Sequence, residues 1–271
     1  MLREAPTIAR LQWIAAGRDF VPADEPAGVV VMDSWLVEDG RVRALSAHVR
    51  RFGAACARMA GMPAERSAEF VRAAVRRVPG VGRWFPRVEL VLVGGVPRWQ
   101  LWIRPAPARG EVVRLWVSTE PDQRVCPSVK GADLDYLAAL RLVAAGVGAD
   151  EAVILCADGR VREGASTSIL WWRRGVLCVP PQTSGILPGV TRAVLLRLAS
   201  EHGVRVEIEE PTPGDLAGLE VWAVNALHGI RPVRRWVGTS IDAGPADRAR
   251  WWNAQWDRLA VPVLTDGVGT G

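Results

Sequence analysis

Three successive runs, VELVLVG, PRWQLWIRP and VVRLWVS, fill residues 88–118 with β-branched and aromatic side chains, broken only by short Gly- and Pro-bearing turns. Runs of this length and composition make strands, not helices, and commit this stretch to sheet. Ahead of them lie two segments of helical period. One runs from Leu45 to Met59, with Ser46 as candidate cap and Val49, Phe52, Ala55, Cys56 and Met59 on one face. The other runs from about Ala64 to Val78. Val29 to Val37 (VVVMDSWLV) reads as a buried strand closed by an Asp39-Gly40 hairpin turn. The first 28 residues read as irregular. Strands flanking helices in this way predict an α+β first domain.

After Ser118 the pattern changes. Thr119 to Ser128 (TEPDQRVCPS) is polar and bounded by prolines, and reads as a linker. A helix is expected over Leu134 to Ala145, then the strands EAVILCA, SILWWRR and VLCVPP, with turns at Asp158-Gly159 and Arg174-Gly175. A second helix runs from Val190 to His202 and stops at Gly203, followed by the strands VRVEIEE and EVWAVN and a Trp-rich helix after about Pro245. The partition is 1–118 for a small N-terminal domain, 119–128 for the linker and 129–271 for a larger C-terminal domain.

Composition excludes several classes of function. The net charge is +5, but the arginines alternate with acids and form no basic block, zinc-finger spacing or aromatic nucleic-acid strand, so no nucleic-acid partner is expected. No apolar run spans a bilayer and no signal peptide opens the chain, so no membrane partner is expected and the cytoplasm is the expected location. Cys56, Cys126, Cys156 and Cys178 form no CxxC pair, and no metal site is expected. Lys130 is the sole lysine among 34 basic residues. Arginine replaces lysine as a surface charge but not as a nucleophilic amine, because it does not deprotonate. A GC-rich genome accounts for the scarcity of lysine, and the one that remains is therefore a candidate for a position where the amine itself is needed.

Four further stretches carry chemistry. In Gly159-Arg160-Val161-Arg162-Glu163-Gly164 a strand leaves a turn and presents Glu163. In Gly185-Ile186-Leu187-Pro188-Gly189-Val190-Thr191-Arg192 a Gly/Pro loop opens a helix whose free N–H groups at Val190 and Thr191, with the Thr191 hydroxyl, make a phosphate cradle. His48 and Arg51 sit three apart on one helical face, where an arginine fork suits a phosphate or carboxylate. In Val224-Asn225-Ala226-Leu227-His228-Gly229-Ile230-Arg231 a strand runs into a polar loop, and Arg231 is either a substrate-carboxylate partner or plain surface charge.

In order and spacing these motifs resemble the class IV aminotransferase family, the pyridoxal 5'-phosphate (PLP) proteins of fold-type IV, from about residue 30 to 235. The resemblance implies an α+β, two-domain fold with a small N-terminal α/β domain and a larger, β-barrel-like C-terminal α/β domain. It implies PLP as cofactor, joined to catalytic Lys130 as a Schiff base. Arg51, Val190 and Thr191 would hold the phosphate, Leu187 would pack on the ring, and Glu163 would face the pyridine nitrogen. Ser34, Asn225 and Arg231 become candidate substrate contacts. NALHGIRPV and LSAHVRRFGAACARM are similar to the 4-amino-4-deoxychorismate lyase branch, with Ala226 where aminotransferases more often carry a Thr. Other positions depart from the family. Only Asp33 and Ser34 echo its G-D-G-x-F-E-T stretch, Ser168 replaces an Asn, and GADLDY after Lys130 lacks the Leu-Asn of the lyases. The resemblance thus implies a lyase releasing pyruvate and 4-aminobenzoate. The alternatives are an aminotransferase acting on a small amino substrate and, in a different class, a PLP-less relative serving as a binding protein. It also implies a homodimer.

Overall fold

The computed structural model describes residues 9–23, 28–182 and 185–263 of the 271-residue chain. The chain divides into two compact units. One comprises the chain up to Ala108 together with the segment from Leu259 on, and the other runs Arg109–Arg258.

The first unit opens with a hairpin, β1 (Ala9–Ile14) against β2 (Asp19–Pro22). This corrects the expectation of an irregular start over residues 9–22; residues 1–8 and 24–27, to which that expectation also applied, lie outside the described residues. Trp13 is buried, and its ring lies 4.9 Å from Phe20 and 6.2 Å from Phe70, so one aromatic anchor fixes a hairpin whose other residues show little alternation. VVVMDSWLV divides at Trp35 into β3 (Val29–Ser34) and β4 (Val37–Glu38). Asp39 and Gly40 both take positive φ (46° and 70°), the two-residue turn of a tight hairpin, and lead into β5 (Arg41–Val42). Helix α1 (Leu45–Ala60) is preceded not by the Ser46 cap expected but by Ala44 in the left-handed region, with no side-chain cap. It ends at Gly61 (φ 62°), whose N–H reaches Ala57 O while that of Met62 reaches Cys56 O. Helix α2 (Ala64–Arg77) packs close, and a Cβ on Gly53 would meet Ala64 O at 3.4 Å. Strands β6 (Arg83–Trp84), β7 (Arg87–Val93) and β8 (Val96–Ile103) follow. The five-stranded sheet has the order β2-β1-β8-β7-β3, and Trp99 on β8 stacks on Phe70 of α2 at 5.9 Å.

The second unit contains β9 (Val113–Val117), α3 (Leu134–Gly146), β10 (Glu151–Leu155), β11 (Val161–Gly164), β12 (Ser168–Arg173), β13 (Val176–Val179), α4 (Val190–Glu201), β14 (Val206–Ile208), a 3-10 turn (Pro213–Leu216), β15 (Glu220–Asn225), β16 (Gly229–Val237) and α5 (Ala249–Arg258). Its eight strands form one curled half-barrel sheet, β11-β10-β9-β16-β15-β12-β13-β14. Here the expected domain boundaries are corrected. VVRLWVS belongs to this unit, because β9 runs parallel to both β10 and β16. Its Val113 and Leu115 are fully buried with Val153, Ile169, Trp171 and Trp236. The chain after Arg258 returns to the first unit, where β17 (Val261–Pro262) pairs with β5 in the small sheet β17-β5-β4-β6. Among the described residues no helix is long and apolar enough to cross a membrane.

Candidate functional site

The chemistry-bearing residues of the second unit gather where loops meet the ends of β11 and α4. Lys130 lies in the turn leading to α3, half-buried. Asp133 accepts the N–H groups of Val125 (2.8 Å) and Cys126 (3.0 Å), and Val129 N–H donates to Cys126 O (2.9 Å). These local bonds set the path of the chain just before the lysine. The preceding segment, expected to be a linker, is therefore a structured part of this unit.

Glu163 sits on β11 and is 4% exposed. Its Oε1 accepts from Arg124 Nη1 (2.6 Å) and from the Leu187 N–H (3.0 Å). Arg124 in turn forks onto Asp122 through Nε and Nη2, each at 3.0 Å, and Arg162 Nη1 closes on Asp122 Oδ2 at 2.6 Å. Burial pushes the Glu163 carboxyl up, while Arg124, the Leu187 N–H and the charge of Lys130 pull against it. Asp122 goes the other way: its burial is outweighed by Arg124 and Arg162, and its carboxyl stays below the usual range. Arg124 and Asp122 were missed by sequence reasoning. Their signal was an acid and a base two apart in a segment too polar to suggest burial.

Helix α4 begins at Val190 after Gly189, with no side-chain cap, so its first-turn N–H groups have no carbonyl one turn before them. Thr191 is buried at 3% exposure, and its Oγ1 has no hydrogen-bond partner among the described residues. A buried hydroxyl is rarely left unpaired, and one at a helix N-terminus is placed for an anion. A Cβ on Gly189 would come within 2.5 Å of Ser168 Oγ, so glycine is needed for the hydroxyl as placed. An unpartnered hydroxyl and open N–H groups suit a phosphate. A buried carboxylate suits a protonated ring nitrogen, and the amine of the chain's single lysine suits covalent attachment. The residues present therefore fit PLP.

The remaining candidates are placed as follows. Asn225 ends β15, and its Oδ1 accepts the N–H groups of Leu227 (3.1 Å) and His228 (2.9 Å), so it shapes the 225–228 loop. Arg231 does not lie in a polar loop. It is on β16, 6% exposed, with an Nε lacking a hydrogen-bond partner among the described residues. That excludes the surface-charge reading. In the first unit Asp33 is fully buried. It receives Arg51 through Nε (2.9 Å) and Nη2 (2.7 Å), and His48 Nδ1 lies 2.8 Å from its Oδ1. Burial alone would raise the Asp33 carboxyl, but Arg51 and His48 hold it well below the usual carboxylate range. Ser34, also buried, donates its N–H to Asp33. On the five-stranded sheet, Arg10, Arg87 and Arg104 crowd the Trp102 ring at 4.7, 5.5 and 5.0 Å, with buried Glu89 paired to Arg10 and Arg87. This cluster also went unread in the sequence, because its members come from three separate segments.

The model of the family Amino-transferase class IV matches residues 30–236. The chain is 31% identical over 136 residues to the branched-chain-amino-acid aminotransferase of Escherichia coli, covering 49% of this chain and 43% of that protein. It is 30% identical over 117 residues to the D-alanine aminotransferase of Bacillus licheniformis, covering 43% and 41%. The matched stretches thus span less than half the length of these curated relatives. A hypothetical aminotransferase from Mycobacterium tuberculosis, solved in its α-ketoglutarate and PMP bound form, aligns over 92% of this chain and 98% of its own with a TM-score of 0.78. At 20% identity that likeness is one of fold. With the family matched across most of its length and a site that fits the cofactor, the chain belongs to the class IV aminotransferases, a family that uses PLP.

Proposed function

We propose that this protein is a PLP-dependent enzyme acting on a small amino compound, and that its reaction is the lyase reaction, release of pyruvate from 4-amino-4-deoxychorismate to leave 4-aminobenzoate. The observation that carries the PLP reading is the unpartnered Thr191 hydroxyl at the uncapped start of α4, in the same unit as Lys130 and Glu163. When bound, PLP withdraws electrons from the carbon bearing the substrate amine. Lys130 would hold the cofactor covalently, and its amine would take the proton from that carbon. Glu163 keeps the ring nitrogen protonated. Val190, Thr191 and Arg51 bind the phosphate, and Leu187 packs on the ring. On the substrate side, Asn225 acts by shaping its loop, Arg231 by an Nε without a hydrogen-bond partner among the described residues, and Ser34 as a polar contact. The working form is a homodimer.

The lyase assignment rests on the NALHGIRPV segment and on Ala226, which supplies no hydroxyl where aminotransferases more often carry one. Amino transfer is the second reading, favoured by the identity to branched-chain and D-alanine aminotransferases. Both readings use the same lysine, carboxylate and phosphate cradle. The experiment is borohydride reduction of the PLP-loaded protein followed by peptide mass spectrometry, with product analysis alongside. A pyridoxyl group on Lys130 is expected, with pyruvate formed without any keto-acid acceptor. Turnover that requires an acceptor rejects the lyase in favour of amino transfer. No visible band and no adduct reject both and leave the PLP-less binding protein.

A further inference from the structure

The carboxylate of Glu163 is held more firmly than contact with one ring nitrogen requires. Among the described residues both of its donors, Arg124 Nη1 and the Leu187 N–H, end on Oε1, which fixes the group's rotation and leaves Oε2 as acceptor for a further donor. Arg124 cannot swing away, because Asp122 grips Nε and Nη2 while Arg162 grips Asp122. The side chains of Arg124, Asp122 and Glu163 are 3, 7 and 5% exposed, so water screens this chain of alternating charge poorly. We infer that Arg124 is a positioning residue which, bonded to Glu163 and clamped by Asp122, decides that the proton shared between Glu163 and a pyridine nitrogen rests on the nitrogen.

The inference rests on the PLP reading and concerns what that reading leaves open. A carboxylate beside a pyridine nitrogen can share a proton in two ways, as carboxylate with pyridinium or as carboxylic acid with neutral pyridine. Only the first makes the ring an electron sink. Burial of Glu163 favours the neutral arrangement, because it penalises the charged carboxylate. Three cations act against it. Lys130 and, from α4, Arg192 are felt through space, and the Arg192 fork is taken up by Gln182 Oε1 (2.5 Å) and Pro180 O (2.8 Å). Arg124 is in direct contact, with its Nη1 donating to the carboxylate at 2.6 Å. Its charge lies nearer to Glu163 than to any group on the far side of that carboxylate. It therefore stabilises the ionised acid more than it opposes the pyridinium, and removing it returns the proton to Glu163.

The test reads the nitrogen directly. The full-length protein is loaded with PLP carrying 15N in the ring, and the 15N chemical shift is recorded for wild type, Arg124→Lys, Arg124→Met and Glu163→Gln. Wild type is expected to show a pyridinium shift and Glu163→Gln that of neutral pyridine. Arg124→Met is expected to move most of the way to the Glu163→Gln value, and Arg124→Lys to stay near wild type. A role in packing alone would leave the nitrogen protonated, so a pyridinium shift in Arg124→Met overturns the inference while leaving the PLP reading intact. Wild-type protein that takes up no PLP overturns the functional reading and this inference with it. If Arg124→Met does not load, Asp122→Asn decides. It keeps the Arg124 charge but frees the fork, so the shift is expected to move part of the way, and an unmoved shift overturns the proposal.

Discussion

Thr191→Val should move stability and cofactor affinity in opposite directions. The substitution keeps side-chain shape and β-branching and exchanges one buried hydroxyl for a methyl. In the apo protein that hydroxyl is 3% exposed and without a partner among the described residues, so its desolvation is not offset by any bond. Relieving it should stabilise the apo protein by about 1 kcal/mol, the low end for an orphaned buried polar group. Loading reverses the sign. A hydrogen bond from a neutral hydroxyl to a phosphate contributes about 1.5–3 kcal/mol, so losing it should weaken PLP binding about 10- to 150-fold. The assay is urea denaturation of the apo protein, with PLP affinity from quenching of tryptophan fluorescence. A variant whose apo form is less stable than wild type, with unchanged PLP affinity, would mean that the hydroxyl is satisfied elsewhere and does not serve an anion.

Asp33→Asn should cost about 3 kcal/mol near neutral pH, because it removes the buried carboxylate onto which the part-buried Arg51 guanidinium forks. Since the Asp33 carboxyl is held below its unfolded value of about 3.9, its contribution is complete above that pH and is lost as pH falls through the lower, folded value. Urea midpoints taken from pH 6 to pH 2 should therefore fall more steeply for wild type than for the variant; parallel curves would refute the assignment. Asn253→Ala removes both arms of a clamp on Ile230, whose N–H and carbonyl bond to Asn253 at 3.0 and 2.8 Å, and should lower stability by about 2 kcal/mol in the same assay. Gly229→Ala combines a φ of +69° with a Cβ 3.0 Å from Asn253 Oδ1 and 3.1 Å from Trp256, and should cost about 2 kcal/mol or more. An effect under about 0.5 kcal/mol, the scale of an ordinary surface substitution, would show that the loop yields.

What the sequence made legible follows from the range of the forces involved. Helices α1 to α4 and the Asp39-Gly40 and Arg174-Gly175 turns came within a residue or two of their observed limits, because amphipathic period and left-handed backbone are local properties. The misses were non-local. Strand β9 resembles the strands before it in composition, yet it pairs with β10 and β16, which lie far along the chain. The opening hairpin is fixed by Trp13, which meets Phe20 close by in sequence and also Phe70, a contact that no window of a dozen residues contains. Ser46 had the chemistry of a cap, but Ala44 in left-handed geometry begins α1 instead, its position set by the tight chain path out of β5.

The same division runs through the candidate site. Lys130, Glu163 and Thr191 are each defined by a short local context: a turn before a helix, a strand leaving an Asp-Gly turn, and a helix N-terminus after Pro-Gly. Such contexts can be read while the rest of the chain diverges. Arg124 has no such context. Its neighbours Asp122 and Val125 look like any solvated stretch, and its burial becomes visible only when Glu163, 39 residues on, comes within 2.6 Å. Groups that touch a ligand must be placed by rigid local geometry, so they leave motifs. Groups that tune them need only arrive at the right distance, from any element, so they leave none. A sequence reading of such a site thus recovers the groups held by local geometry and misses those, such as Arg124, that reach Glu163 from a distant segment.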